Sequence, residues 1–373
     1  MEIKIVLGHT FGDEGKGVTV QWLCKKAIEE GKRPVVVRFS GGPQAAHTVV
    51  NDGVEHICSS FGSGVLLGVP TILYPTTYVD PICLMNEYWV LKEKGLEPDI
   101  DFYDNPIITP YDVLAGQRND KVRSDGTCGK GLFATFDRCC NHSSTRTTFY
   151  RGSKPKFYLN IASDYHHIKH DDEYDAMFCE AWNEMVSTFR GSKWAADYDV
   201  IIFEGSQGLL LDMNNGFFPH VTPSKVGLNG IPQIWLQNAD VYLVTRTYTT
   251  RHGNGYTPLF DHGLDLSDKH ETNIRNEYQG EFKTGALEIP LLNRAYDRHC
   301  IDNYVEKYGL NINLVITHMD VVGDIFTYYG DSLRKTVVNG NPYAVAECIT
   351  ENLIYRPDNV FYNDSVESQL KKL

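Results

Sequence analysis

Between Gly8 and Gly17 the chain reads GHTFGDEGKG, small and polar residues with a single lysine, Lys16, between Gly15 and Gly17. A loop of this kind turns backbone N–H groups and a helix N-terminus toward an anion. Lys16 adds a point charge suited to a phosphate in transfer. The run is not a Walker A loop, because Gly17 stands where a serine or threonine would hold Mg2+ and the first glycine is wrongly spaced. Asp13 and Glu14 beside an anion site require a reason, since like charges repel. A metal ion bridging carboxylate and phosphate supplies one, and a general base supplies another. The plainer alternative is a glycine-rich turn with a surface lysine.

Three further polar runs invite the same question. Arg38–His47 reads RFSGGPQAAH. Its Gly41-Gly42 pair allows a backbone to approach a ligand closely, and His47 suits an acid or hydrogen-bond donor, although a lone histidine is more often structural. Glu204–Gly208 reads EGSQG, followed by Asp212 and by PHVTPS at Pro219–Ser224. Thr317-His318-Met319-Asp320 is the last. Its Asp320 is placed to accept from the N–H edge of a guanine, with a turn cap as the alternative.

Such residues need elements to hold them. Short β-branched runs occur at Glu2–Leu7, Pro34–Phe39, Val200–Phe203, Asp240–Thr245 and Ile312–Ile316. Near-continuous Val/Ile runs predict central parallel strands buried on both faces. Val18–Glu30 carries apolar residues at helical spacing and ends at Gly31, which makes Glu2–Phe39 a strand–loop–helix–strand unit with a right-handed crossover. Met177–Arg190 also reads as helix. The four polar runs all fall after predicted strands, where open α/β sheets bind ligands. The expected fold is therefore α/β, a central mostly parallel sheet with helices on both faces, in a single domain over 1–373. Segments of about 104–158 and 252–290 lack periodicity and read as long irregular insertions.

Composition narrows the function classes. With 373 residues, 42% hydrophobic and 12% aromatic, the chain is neither disordered nor short of core. A net charge of −13 makes nucleic acid a poor partner. No apolar run reaches membrane-spanning length, and the N-terminal run is too short for a signal peptide. Nine cysteines, an odd number with no CxxC, predict a reducing, cytoplasmic compartment and no cysteine metal site.

GDEGKG at Gly12–Gly17, with RxxGGxxxxHTVV at Arg38–Val50, resembles the adenylosuccinate synthetase family. The remaining pieces follow in the same order. DGTCGKG at Asp125–Gly131 resembles the family's GTTGRG loop, and FEGSQGLLLD at Phe203–Asp212 resembles FEGAQGxLLD. TPS at Thr222–Ser224 matches VTSS in part. YTTRHGNG at Tyr248–Gly255 resembles YTTRVGAG, THMD at Thr317–Asp320 resembles TKLD, and Arg356-Pro-Asp358 echoes GPDR. The resemblance spans nearly the whole chain. It implies a homodimeric ligase that uses GTP, or ATP, and Mg2+ to phosphorylate the 6-oxygen of a purine nucleotide, of IMP or dGMP/GMP type. An amino donor, aspartate in the family, then displaces the phosphate. By that resemblance Asp13 is the base and a metal ligand, Ala46 the second metal position, and Lys16 the γ-phosphate contact. His47 is the acid on the transferring group. Gly12, Glu14, Gly15, Gly17 and Thr317 join the nucleotide site, and Asp320 reads guanine. Gln44, Thr127, Cys128, Gln207, Thr222 and Arg251 line the substrate site. Arg146, with Arg138 as fallback, reaches the substrate phosphate across the dimer.

The departures have consequences. Gln44 and Ala46 replace the asparagine and glycine of GGxNAGH, Cys128 replaces a threonine, and His318 replaces the lysine of TKLD. The family's GTTTGRxRR, whose arginines hold the aspartate carboxylates, reads EFKTGALEIP at Glu281–Pro290, with Ala286 and Glu288 at the two arginine positions. A glutamate repels a dicarboxylate, so weak or absent use of aspartate is expected, with Arg246, Arg251 or Arg294 as possible replacements. The viral branch acting on dGMP typically has serine at the base position, which Asp13 argues against. The reading from another class is a catalytically degenerate nucleotide-binding paralogue or sensor. It is favoured by the lost arginines and opposed by Asp13, Lys16 and His47.

Overall fold

Alternation along the central strands explains the architecture. Ile5, Leu7, Val35, Val37, Ile201, Phe203, Val241 and Leu243 belong to one buried cluster, while Val6, Val36, Val200, Ile202, Tyr242 and Val244 belong to another. Successive side chains in a strand point to opposite faces, so a run that is apolar throughout buries both faces of its sheet. The computed structural model describes residues 1–119, 128–141, 148–189, 191, 194–256, 282–321, 325–330, 335–364 and 369–373.

The strands are β1 (Glu2–Gly8), β2 (Pro34–Arg38), β3 (His47–Asn51), β4 (Val54–Cys58), β5 (Thr71–Leu73), β6 (Ile100–Phe102), β7 (Val200–Gly208) and β8 (Asp240–Arg246). They continue as β9 (Tyr248–His252), β10 (Phe282–Glu288), β11 (Asn311–Thr317), β12 (Ile325–Tyr329), β13 (Lys335–Asn339), β14 (Asn359–Tyr362) and β15 (Lys371–Lys372). Nine form one sheet in the order β15-β14-β11-β8-β1-β7-β2-β5-β6, parallel except for the β14–β15 pair. Its five central strands are the five expected runs. β9, β10, β12 and β13 make a second, mixed sheet, and β3–β4 is a hairpin.

The helices are α1 (Lys16–Glu29), α2 (Pro81–Glu93), α3 (Pro110–Arg118), α4 (Leu132–Asn141), α5 (Pro155–His166), α6 (Asp172–Thr188), α7 (Ile289–Arg298), α8 (Ile301–Tyr308) and α9 (Pro342–Glu351). α1 covers one face of the sheet through Val20, Leu23, Cys24 and Ala27. α7 and α8 cover the other through Leu291, Ala295, Tyr296, Ile301 and Tyr308. Beyond β5 and β6 a helical layer of α2, α5 and α6 packs around Trp182, Phe178, Tyr158 and Leu84.

Two expectations need correction. The segment 104–158 is not irregular in its described part, for it holds α3, α4 and the start of α5. α3 has its own start signal, a capping box between Thr109 and Asp112 with Pro110 at the first position. Within 252–290, the described residues from 282 onward form β10 and the first turn of α7. Ala286, Leu287 and Ile289 are fully buried there, so this stretch is interior structure. Residues 257–281 lie outside the described residues. Among the described residues no helix is long and apolar enough to cross a membrane, and all nine cysteines are free thiols.

Candidate functional site

The GHTFGDEGKG run joins β1 to α1 at the C-terminal edge of the sheet. Its shape comes from Glu14, whose buried carboxylate accepts from the Thr10 backbone N–H at 2.7 Å and the Gly12 N–H at 3.3 Å. Burial pushes the Glu14 carboxyl up to about 7, against the pull of Lys16 and of the Thr10 bonds. The Glu14 side chain thus organises the loop from inside. Gly15 has φ 88°, and a Cβ there would lie 2.7 Å from Thr317 Cγ2. Thr317 Oγ1 donates to the Glu14 carbonyl at 2.9 Å, so this residue of the last polar run clamps the first.

Asp13 sits in left-handed backbone, φ 55°. Arg246 Nε donates to its carbonyl, and Thr250 Oγ1 donates to the Gly12 carbonyl at 3.1 Å. Both peptide oxygens are tied down while the Asp13 carboxylate, half-buried, accepts no hydrogen bond from any described residue. Lys16, 2% exposed, makes no ion pair among the described residues. Burial lowers its pKa, and Glu14, Asp13 and Glu204 pull it back up.

His47 faces the same loop, since a Cβ on Gly17 would lie 2.9 Å from His47 Cβ. Its Nδ1 meets Glu204 Oε1 at 2.6 Å. Glu204 also accepts from the Ser63 N–H at 3.1 Å and from the Ser63 hydroxyl. Burial holds the His47 pKa below its ordinary value, outweighing the upward pull of Glu204. Burial raises the Glu204 carboxyl, but His47, Arg38 and Ser63 outweigh it and hold it below the usual range. His47 Nε2 is buried and has no hydrogen-bond partner among the described residues. Glu204 was legible only as part of a motif. Its role as the orienting partner of His47 bridges 157 positions of sequence.

Two glutamines complete the centre. Both polar atoms of Gln44 and Oε1 of Gln207 are buried and unpartnered, and a Cβ on Gly41 would lie 3.2 Å from Gln207 Nε2. Arg38 supports this loop, donating to the Ala45 carbonyl at 2.8 Å. Ser224 joins it from the Thr222 side, its hydroxyl accepting from the Gly41 N–H at 3.2 Å. Thr222 Oγ1 accepts from the Ser224 N–H at 3.3 Å. Orphaned buried polar atoms are rare in folded proteins. Here those of Gln44, His47 and Gln207 converge on the ends of β1, β2 and β7.

The other residues fall as follows. Arg251 is buried, stacked 5.0 Å over Phe11, and donates to the Asn254 and His220 carbonyls, with Nε unpartnered. Burial lowers its pKa to about 10. Asp320 is exposed after β11, and Cys128 is half-buried with its thiol pushed up by burial. Thr127 and Arg146 lie outside the described residues. Arg138 cannot reach a neighbouring subunit: it is fully buried and holds Asp112 through two bonds of 2.8 Å. Arg246 is spent on Asp13 and Tyr248, and Arg294 lies over Phe217 at 4.7 Å. Glu288, 4% exposed, bonds the Tyr256 hydroxyl. Glu288 is therefore not a solvent-facing side chain.

The acceptor-only carboxylate of Asp13, half-buried and without a hydrogen bond among the described residues, suits a hard cation such as Mg2+, which takes oxygen ligands. Ala46, exposed beside His47, has only its carbonyl to add.

The sequence model of the adenylosuccinate synthetase family matches residues 5–325. The adenylosuccinate synthetase of Ectopseudomonas mendocina is 30% identical over 287 residues, 69% of this chain and 65% of its own length, so the chain spans just under two thirds of that relative. That of Chromohalobacter salexigens is 29% identical over 94% of this chain and 86% of its own length. Among solved structures, fully ligated adenylosuccinate synthetase from Plasmodium falciparum superposes with a TM-score of 0.75 at 17% identity, covering 99% of each chain. Cyanophage S-2L succinoaminodeoxyadenylate synthetase, bound to dGMP and dATP, gives 0.63 at 14% identity over 100% of this chain and 95% of that one.

Proposed function

Since this chain belongs to the adenylosuccinate synthetase family, we propose that it activates the 6-oxygen of a purine nucleotide with a nucleoside triphosphate, GTP by family preference. It then joins an amino donor at that carbon. The observation that carries this reading is the meeting around one loop of an Asp13 carboxylate, a Lys16 and a His47 Nε2 that have no hydrogen-bond or ion-pair partner among the described residues. Simple nucleotide binding needs the lysine but neither the base nor the acid.

Asp13 takes the N1 proton of the purine, which leaves charge on the 6-oxygen. That oxygen attacks the γ-phosphorus, and the nucleoside diphosphate leaves. Lys16 neutralises the transferring oxygens, and Glu204 favours the His47 imidazolium, which donates from Nε2–H to the same group. The amine then attacks C6 and the phosphate departs. Mg2+, when held by Asp13 and the Ala46 carbonyl, supplies charge neutralisation on the phosphates. Gln44 and Gln207 present amide groups to the base and ribose.

The amino donor differs from the family default. The two positions expected to carry the carboxylate clamp are Ala286, fully buried, and Glu288, bonded to Tyr256. Arg251, buried over Phe11 and bonded through Nη2 to the His220 and Asn254 carbonyls, is one arginine where the family motif carries two. The protein incubated with Mg2+, GTP or ATP, IMP or dGMP and a panel of amino acids should give a product whose mass names the donor. Aspartate should perform poorly, and family-like efficiency with aspartate would refute that part. Nucleotide binding with no product from any donor would instead support a sensor.

A further inference from the structure

A second cleft, of about 450 Å³, opens at the other edge of the sheet and takes no part in the proposed reaction. It is lined by strand beginnings, Glu2 and Lys4 of β1 and Tyr242 of β8, by the C-terminal half of α1, and by the tail strands β14 and β15. Lys16 and Lys26 stand at opposite ends of α1, about 15 Å apart at 1.5 Å per residue, so one small ligand cannot fill both places.

The lining has two chemical parts. One is aromatic: Trp22 and Phe361, both half-buried, have ring centroids 5.4 Å apart, and Phe361 lies 6.1 Å from Tyr242. The other is cationic. Lys26 on α1 and Lys372, opposite Phe361 in register, are exposed and make no side-chain bond among the described residues. Lys4 is already matched, 3.3 Å from Glu2 and 3.4 Å from Asp240. The two acids of the lining, Glu2 and Glu30, are both paired with Lys32. The cleft therefore offers two unmatched cations and an aromatic wall, on a chain whose net charge is −13.

We propose that this cleft binds a planar aromatic anion of mononucleotide size, the ring against Trp22 and Phe361 and the anionic group on Lys26 and Lys372. Stacking on side-chain rings tolerates any base, lysine ammonium groups suit phosphate, and the volume lies within the range of small-molecule sites. The site stands apart from the reaction and does not depend on the reading given for it.

Calorimetric titration of the full chain with AMP and with GMP tests this. At least one should show a binding event that survives Gln44→Ala/Gln207→Ala, which removes the amides proposed to hold the purine nucleotide, and weakens at least tenfold in Lys26→Glu/Lys372→Glu. The same event should weaken in Trp22→Leu, while Lys25→Glu, on α1 but outside the cleft, leaves it unchanged. Adenosine and inorganic phosphate, each carrying half the chemistry, should bind at least tenfold more weakly than the nucleotide. No event with either nucleotide overturns the proposal. So does an event untouched by the double charge reversal, or one abolished by Gln44→Ala/Gln207→Ala, which would place it in the reaction site.

Discussion

A charged lysine with 2% exposure and no ion pair among the described residues is costly to bury, and an anionic ligand removes that cost. Lys16→Ala should therefore remove most phosphoryl transfer while the melting temperature holds or rises, and unchanged turnover would refute the assignment. Asp13→Asn keeps the shape but cannot accept the N1 proton, so substrate-dependent phosphate release should fall by ~10²–10⁴-fold with triphosphate binding retained. Full release from that variant would sink the mechanism. Glu204 acts through His47. Its carboxylate raises the His47 pKa against burial, so Glu204→Gln should lower it. With the imidazolium as the active form, the alkaline limb of the pH–rate profile then moves to lower pH and turnover at pH 7 drops. An unmoved limb would show that Glu204 only packs. The strand–loop–helix placement of Gly8–Gly17 was legible because that loop is contiguous in sequence. Glu204 and Arg246 were not legible as partners, since they meet His47 and Asp13 only once β7 and β8 flank β1.

The phosphate loop as an element carries its own pH dependence. Burial raises the Glu14 carboxyl from 4.5 to about 7. Between those values the folded chain holds a proton that the unfolded chain has released, so stability is full below the lower value and falls as pH rises through the upper. Glu14→Gln removes the titration and keeps an acceptor for Thr10. It should flatten the slope of stability against pH between 5 and 8, by about 1–3 kcal/mol across that span. Denaturant midpoints at the two pH values check it, and an unaltered slope would move the titration elsewhere. The five central strands and α1 were legible because both faces of that sheet are buried, which writes unbroken Val/Ile runs into the sequence. β5 and β6, three residues each, are too short to show a period. α4 was hidden because its buried face includes Thr135 and Arg138, polar residues that blur an apolar stripe. β10 does not show as a strand in sequence because its first three residues, Phe282, Lys283 and Thr284, are only half-buried and just its far end, Gly285–Glu288, is interior.

At the scale of the whole molecule the open question is what meets the substrate phosphate. Within the described part of one chain, the arginines near the site are already engaged in holding it together: Arg38 bonds the Ala45, Ser59 and Phe61 carbonyls, Arg246 bonds Asp13 and Tyr248, and Arg251 bonds two carbonyls through Nη2 and lies over Phe11. Arg138, fully buried on Asp112, is out of reach of any partner. Arg146, among the residues the structure does not describe, is the remaining candidate of the two. The family resemblance implies that it acts across a homodimer. Asp13→Asn and Arg146→Ala chains should each be inactive alone. In a mixed dimer one site combines the intact Asp13 of one subunit with the intact Arg146 of the other, and the second site lacks both. With free exchange at equal concentrations, half the dimers are mixed and about a quarter of all sites regain both groups. Activity should thus return toward that fraction on mixing and stay at zero in each parent. Subunit exchange is followed separately, by light scattering for the dimer and a charge tag for the hybrid. No recovery despite proven exchange would place Arg146 in its own subunit's site or outside the chemistry, and a monomer in solution would remove the trans arginine altogether.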